Sequence, residues 1–276
     1  MKVIFPNSAD VAASERFILK GGRWRRVMLK VRYGVIVHPD HGPVLIDTGY
    51  TAETISAPDR GRVLRLYSRV LGPTLNPDQQ PEPVLARLGF TPADVRFVIV
   101  THFHADHISG LRQFPNARFI ANGPAFAHLR SSTDWHNIRH GVFPELVPDD
   151  FDGRMIDTES LPRTEPEYGL PAGRDLLGDG RVVAVGLPGH ARGLFGVMLQ
   201  TASGPLLYAV DVQWIRRAAT EARVQAWPAR LITDDYEDWR RSTDALAAYL
   251  AQGRAALLCH DPENTPFDYD MANSDP

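Results

Sequence analysis

Val98-Ile99-Val100-Thr101-His102-Phe103-His104-Ala105-Asp106-His107-Ile108-Ser109-Gly110-Leu111 is the stretch whose reading decides the fold. It opens on a short β-branched run, which reads as a buried strand. It closes on Ile108-Ser109-Gly110-Leu111, which reads as the start of a helix. Between them lie His102, His104, Asp106 and His107, four side chains able to bind metal. A strand-to-helix loop can turn imidazoles and a carboxylate inward together, which a regular helix at this spacing cannot. Neutral imidazole nitrogen and carboxylate oxygen are ligands for zinc, iron, manganese or cobalt. One histidine alone is usually structural, but three with an aspartate inside six residues outweigh a histidine-rich surface turn.

Working outward, further candidate site residues follow predicted strands. Pro43-Val44-Leu45-Ile46 is a strand that ends in Asp47-Thr48-Gly49. Arg181 to Leu187 is a strand followed by Pro188-Gly189-His190. Leu194 to Thr201 and Leu206 to Val210 form a hairpin through Ala202-Ser203-Gly204-Pro205, and the second strand ends in Asp211. Ala255 to Cys259 is the last strand and delivers His260. A chance scatter of His and Asp would not fall repeatedly at strand ends.

The remaining elements are coarser. Arg16 to Lys20, Arg26 to Val31 and Gly34 to His38 read as strands, and His38 and His41 as solvated turn residues. Arg60 to Leu71 reads as an amphipathic helix closed by Gly72-Pro73, Glu82 to Leu88 as a second helix and Tyr236 to Leu250 as a long one. Arg118 to Ala121 is another strand. Strands and helices alternate as an α/β fold should. From 122 to 179 periodicity fades, and Phe126, Trp135, Phe143, Phe151 and Tyr168 stand among prolines and glycines. Such a region is often a lid or pocket wall. A surface excursion with its own small core is an equally good reading. His128, His136 and His140 are wall or surface residues, and the tail from Pro262 to Pro276 lies loosely on the surface.

Composition narrows the class. The 276 residues are 43% hydrophobic and 23% charged, which suits a globular chain with a sizeable core. A net charge of -3 gives no basic footprint for nucleic acid. No stretch reaches the length of a membrane span. Cys259 is the single cysteine, so no internal disulfide forms, and it is most simply a small buried residue. These features suit a cytoplasmic protein acting on a small molecule. Apolar positions between Leu64 and Leu71 could serve a homodimer.

Thr101 to His107 resembles the His-x-His-x-Asp-His motif of the metallo-β-lactamase superfamily. With Asp47-Thr48-Gly49, Pro188-Gly189-His190, Asp211 and His260, the resemblance covers most of the chain. It implies a single αββα sandwich over 1-276, with two mixed β-sheets flanked by helices and the 122-179 segment shaping the pocket. It implies two divalent cations, zinc foremost, with iron, manganese or cobalt also suited. His102, His104 and His190 would hold one, Asp106, His107 and His260 the other, and Asp211 would bridge them. Asp47 would support the ligand loop by hydrogen bonds. Two such ions against Asp106, Asp211 and a bridging hydroxide leave a net charge of about +1, which favours water ionising near neutral pH.

The activity implied is hydrolysis. The bridging hydroxide attacks a carbonyl carbon, and Asp106 shuttles the proton. The presence of Asp211 argues against a true β-lactamase. The chain ends too soon after His260 for a glutathione-binding helical domain, a glutamate would replace His104 in a flavodiiron protein, and nothing resembles an RNA-gripping arm. The branch most resembled is that of N-acyl homoserine lactonases, which carry a tyrosine where this chain has Trp214. Indole is a donor with a different reach from a phenol. That departure keeps open a phosphotriesterase or phosphodiesterase on the same ligands, and a non-catalytic metal-binding sensor is a third reading. Phe103, Phe126, Trp135, Phe143 and Trp214 are the expected substrate contacts.

Overall fold

The computed structural model describes residues 1–55, 60–221 and 223–269. Fourteen strands among them form three sheets. In chain order they are β1 (Lys2–Ile4), β2 (Asn7–Ser14), β3 (Arg26–Arg32), β4 (Gly34–His38), β5 (Gly42–Ile46), β6 (Thr74–Leu75), β7 (Phe97–Val100), β8 (Arg118–Ala121), β9 (Met155–Asp157), β10 (Gly173–Asp175), β11 (Val182–Gly186), β12 (Phe195–Thr201), β13 (Gly204–Val210) and β14 (Ala255–Leu258). The first sheet runs β1-β4-β5-β7-β8-β9, the second β10-β11-β12-β13-β14, and a small third β3-β2-β6.

Both large sheets are mixed. β4 and β5 pair antiparallel as a hairpin, after which β5, β7, β8 and β9 run parallel. β11, β12 and β13 are an antiparallel meander, to which β14 adds in parallel. Parallel strands need crossovers, and the helices that supply them flank the sheets. One core joins the facing sides of the two sheets: Val35, Leu45, Ile99 and Ile120 of the first meet Val182, Val197, Tyr208 and Leu257 of the second. On the outer side of the second sheet, Leu246 and Tyr249 of helix Tyr236–Ala251 cover Val185, Met198 and Leu207. That helix starts where Asp235 caps it, its carboxylate accepting the N–H groups of Glu237 and Asp238 at 2.8 Å. The architecture is the mixed α/β sandwich expected, and no helix among the described residues is long and apolar enough to cross a membrane.

Four local expectations are corrected. Arg16 to Lys20 is not a strand: the chain makes a short helix at Glu15–Ile18, and the strand lies upstream at β2, whose small polar residues pair with β3 and β6. The segment 122–179 is more regular than expected, with helices at Gly123–Ser131 and Asp134–Arg139 and strands β9 and β10. His38 is buried rather than solvated, because Asp179 from the β10–β11 turn meets its Nε2 at 3.0 Å. The tail is not loose over 262–269. Arg32, itself buried, donates to the carbonyls of Asp261 and Glu263 at 2.6 Å and to the Asp268 carboxylate at 2.7 Å. The rest of that tail, 270–276, lies outside the described residues.

Candidate metal centre

The site forms where β5, β7, β11, β13 and β14 end. β7 buries Val98, Ile99 and Val100 completely or nearly so, then hands over to a loop that carries His102 and His104 and a single helical turn, Ala105–Ile108, that carries Asp106 and His107. Gly189 lies at φ 119 in the turn after β11 and against the helix Tyr236–Ala251, where a Cβ would meet the Trp239 nitrogen at 2.0 Å. Only glycine lets the His190 turn come that close. At the last residue of β13, Val210 is held at φ 53, a conformation that β-branched residues seldom adopt, and the chain swings Asp211 inward. β14 delivers His260, whose Nδ1–H donates to the Lys30 carbonyl at 2.7 Å and leaves Nε2 facing the site.

All seven sequence-predicted ligands converge. His190 Nε2 is 3.1 Å from His104 Nδ1 and 3.3 Å from Asp211 Oδ2. The same Oδ2 lies 3.0 Å from His260 Nε2 and 3.6 Å from His107 Nε2. Asp106 Oδ2 stands 3.4 Å from His260 Nε2 and 3.7 Å from His107 Nε2. His102, His104, His190 and Asp211 form one potential cation cluster, and His107, Asp211 and His260 belong to a second. The second also includes Cys259, which by sequence alone is simply a small buried residue. Its position directly before His260 was the available signal. Its Sγ donates to the Arg32 carbonyl at 3.3 Å.

Asp47 sits beneath the loop. It adopts a left-handed φ of 60, which aspartate tolerates. Its Oδ1 accepts the Thr101 N–H at 2.9 Å, and its Oδ2 accepts the Thr101 hydroxyl at 2.7 Å and His107 Nδ1–H at 2.8 Å. That bond directs His107 Nε2 into the site.

Electrostatics divide the site. Burial pushes His102 and His104 well below the usual imidazole range, so both are held neutral, the state that ligates metal. Burial acts the same way on His107, but the carboxylates of Asp106, Asp211 and Asp47 more than reverse it and raise His107 well above its ordinary value. His260 is raised similarly, against burial, by Asp211. Burial would raise Asp211, yet His260 and His107 hold it well below the carboxylate range. The half around Asp106 and Asp211 therefore draws positive charge. Four buried atoms on the cluster's residues, His102 Nε2, His107 Nε2, His190 Nδ1 and Asp211 Oδ1, have no hydrogen-bond partner. Buried polar atoms left unpaired are costly, and cations bound at the two clusters would satisfy His102 Nε2, His107 Nε2 and Asp211 Oδ1. The residues present thus fit divalent metal.

A small, half-open cavity lies beside His104 and His190, lined by Phe103, Leu129, His128, His136, His140 and Arg192 among others. Of the expected substrate contacts, Phe103 lines it. Trp214 lies over the ligands, its ring 6.1 Å from both His190 and His260, and its buried Nε1–H has no partner. Phe126 and Phe143 do not face the cavity. Phe126 packs on Phe151 at 4.7 Å between centroids and Phe143 on Tyr67 at 4.8 Å, so both are core residues. Trp135 is 76% exposed and lies outside the cavity lining. Aromatics in a stretch without clear periodicity could be given to a pocket or to a core, and only the packing separates the two.

Residues 29–251 match the Metallo-beta-lactamase superfamily. The N-acyl homoserine lactonase AttM of Rhizobium radiobacter is 29% identical over 237 residues, covering 85% of this chain and 83% of that protein. The probable metallo-hydrolase Rv2300c of Mycobacterium tuberculosis is 30% identical over 190 residues, covering 66% of this chain and 56% of that protein. Among solved structures, a B. thuringiensis AiiA variant with N-decanoyl-L-homoserine bound at its active site superposes with a TM-score of 0.70 at 17% identity, covering 94% of this chain and 93% of that one. AidC, a dizinc quorum-quenching lactonase, superposes at 0.65 with 15% identity, covering 98% and 91%. These likenesses show a shared fold. With the matched segment spanning most of its length, the chain belongs to the metallo-β-lactamase superfamily and is a metal-dependent hydrolase.

Proposed function

We propose that the chain is a dinuclear hydrolase that opens a lactone or a closely related carboxylic ester. The observation that carries this is Asp211 Oδ2, placed within 3.0–3.6 Å of three imidazole nitrogens drawn from His107, His190 and His260. A carboxylate so shared suits a bridging ligand between two cations. The AttM relative is named as an N-acyl homoserine lactonase and supports the choice of substrate. When bound, two divalent cations, for which we assign zinc, supply a water ionised near neutral pH and a Lewis-acid grip on the carbonyl oxygen.

The chain's own residues do the rest. His102, His104 and His190 would hold one cation, Asp106, His107 and His260 the other, and Asp211 both. Asp106 is the ligand carboxylate best reached from the mouth, its side chain 15% exposed, and it is placed to carry a proton to the departing alkoxide. The Trp214 Nε1–H, lacking a partner, is free to donate to the substrate carbonyl oxygen. The cavity beside His104 would take the acyl group and keep bulk water from it. With a single cysteine the chain suits a reducing compartment, and we place its work in the cytoplasm on a diffusing small molecule.

The Trp214 indole could equally meet a phosphoryl oxygen, so the test compares acyl-homoserine lactones, aryl esters and paraoxon on metal-replete enzyme, with elemental analysis in parallel. Chelator-sensitive turnover that favours lactones is expected, and His190→Ala and Asp211→Ala should lose both metal and rate. Preference for paraoxon would move the assignment to phosphotriester hydrolysis. Full rate in either variant would overturn the site assignment, and folded, metal-replete protein that turns over no substrate would leave a metal-binding sensor.

A further inference from the structure

We propose that the surface bordering the metal site docks on anionic lipid bilayers. Residues 15–26, 60–71 and 214–231 hold thirteen of the thirty lysines and arginines but two of the thirty-three acids, in a chain whose net charge is -3. The same three segments hold seven of the nine large hydrophobic side chains exposed among the described residues: Phe17, Trp24, Val63, Leu66, Val70, Trp227 and Leu231. Cationic and apolar exposure therefore coincide, while the rest of the chain is strongly acidic.

The first and third segments form one patch. Leu19 bridges to Gln225, the Lys20 N–H donates to the Val224 carbonyl at 3.0 Å, and the Ala226 N–H donates to the Ile18 carbonyl at 2.9 Å. On it, Trp24 stands 74% exposed with Phe17 edge-on at 5.6 Å and the Arg16 guanidinium 5.1 Å from the Trp24 ring centre. An open cleft within the patch is walled by Arg23, Arg25, Arg217 and Arg223 together with Glu15 and Glu221. Glu15 is taken by Arg25 and Arg217, whereas Arg23 has no ion-pair partner among the described residues. The patch reaches the site through Trp214, which packs with Ile18, Leu29 and Ile215 and lies over His190 and His260.

The middle segment reaches the site through Tyr67: a Cβ on Gly141 would stand 3.2 Å from the Tyr67 hydroxyl and 3.9 Å from His104 Cδ2. In helix Arg62–Leu71, Tyr67 faces inward against Phe143, while Val63, Leu66 and Val70 repeat along the outer face with Arg62, Arg65 and Arg69 one position before each. Basic side chains beside exposed apolar ones are the composition of an interfacial surface: guanidinium groups meet anionic headgroups while Trp, Phe and aliphatic side chains enter the acyl boundary. Two alternatives fit less well. A second copy would bring arginine against arginine across a two-fold axis. A single-stranded nucleic acid would use the tryptophans for stacking but has no use for Val63, Leu66, Val70 and Leu231. The surface would give a chain without a membrane-spanning helix among its described residues a peripheral contact with lipid, and the proposal does not depend on which ester the site opens.

The test is flotation of metal-loaded full-length protein with two kinds of vesicle, phosphatidylcholine alone and phosphatidylcholine with roughly a quarter phosphatidylglycerol. Binding to the anionic vesicles only is expected, weakening as salt rises. Arg16→Glu with Arg23→Glu should lower partitioning by roughly tenfold or more. Trp24→Ala with Trp227→Ala should lower it comparably while leaving melting temperature and hydrolytic rate in solution unchanged. Binding to neither vesicle, or equally to both, overturns the proposal. So does tighter binding to an oligo-dT probe than to vesicles, or a dimer dissolved by the tryptophan substitutions in a protein that ignores vesicles.

Discussion

Asp47→Asn should weaken one cation site and spare the other. Asp47 is fully buried and accepts three hydrogen bonds, two from Thr101 and one from His107. Asparagine keeps the shape and, like aspartate, tolerates the left-handed backbone at φ 60, so the change isolates the chemistry of one atom. The Oδ1 bond from the Thr101 N–H can persist, and the Thr101 hydroxyl oxygen can accept from the new amide while it goes on accepting His102 Nδ1–H, 3.1 Å away, so His102 keeps the tautomer that leaves its Nε2 free. His107 has no such escape. An amide N–H facing its Nδ1 favours the tautomer protonated on Nε2, and that nitrogen can then no longer ligate. Loss of such an outer partner typically weakens metal binding by about 10–100-fold, which is about 1.4–2.7 kcal/mol. Competition titration with a chromogenic chelator should show one of two cations released more easily by that factor, with far-ultraviolet dichroism unchanged. Two unaltered affinities in folded protein would refute the orienting role of Asp47, and equal weakening of both would mean that the loop moves as a unit.

Arg32→Met should destabilise the fold by about 1–3 kcal/mol for each buried carbonyl left without its donor, that of Asp261 foremost, while half-buried Asp268 keeps its bond to Lys30. Chemical denaturation measures it, and metal content should fall too, since Arg32 fixes the segment just after His260. Gly189→Ala has no room beside Trp239 and should lower the melting temperature while displacing His190; full stability with full metal content would contradict the packing. Glu15 supplies a pH dependence remote from the metal site. Hydrogen bonds from Arg25, then from the Arg23 N–H, pull its carboxyl down to about 2. The unfolded chain takes up this proton first as pH falls, so the stabilisation is complete above the ordinary carboxyl value of about 4.5 and is lost towards pH 2. Urea unfolding across that window should be less pH-dependent in Glu15→Gln than in the parent.

Much of the site could be read from the chain because each ligand follows a strand that announces itself. Val98-Ile99-Val100 before His102, and Ala255 to Leu258 before Cys259 and His260, are β-branched or apolar runs whose ends are marked by a change to polar residues. Where the reading failed, the deciding partner lay far away in sequence. Asn7–Ser14 has little β-propensity of its own and is a strand because β3 and β6 flank it. His38 beside Pro39 and Asp40 has the composition of a wet turn, and Asp179 covers it from another sheet. Phe267 and Tyr269 pack into the core from a tail whose prolines and acids suggested none of this, because a single arginine, Arg32, pins the backbone between them and His260.

Val210 carries a consequence for anyone selecting sturdier forms of this protein. A β-branched residue held at φ 53 carries on the order of 1–3 kcal/mol of backbone strain, yet its side chain is fully buried, so glycine or asparagine would relieve the strain only by opening a cavity or burying an unpaired amide of similar cost. A screen scored on heat survival alone should therefore leave this position unchanged. Any residue that did replace it would also loosen the backbone that aims Asp211, so a library meant to keep turnover should hold position 210 fixed.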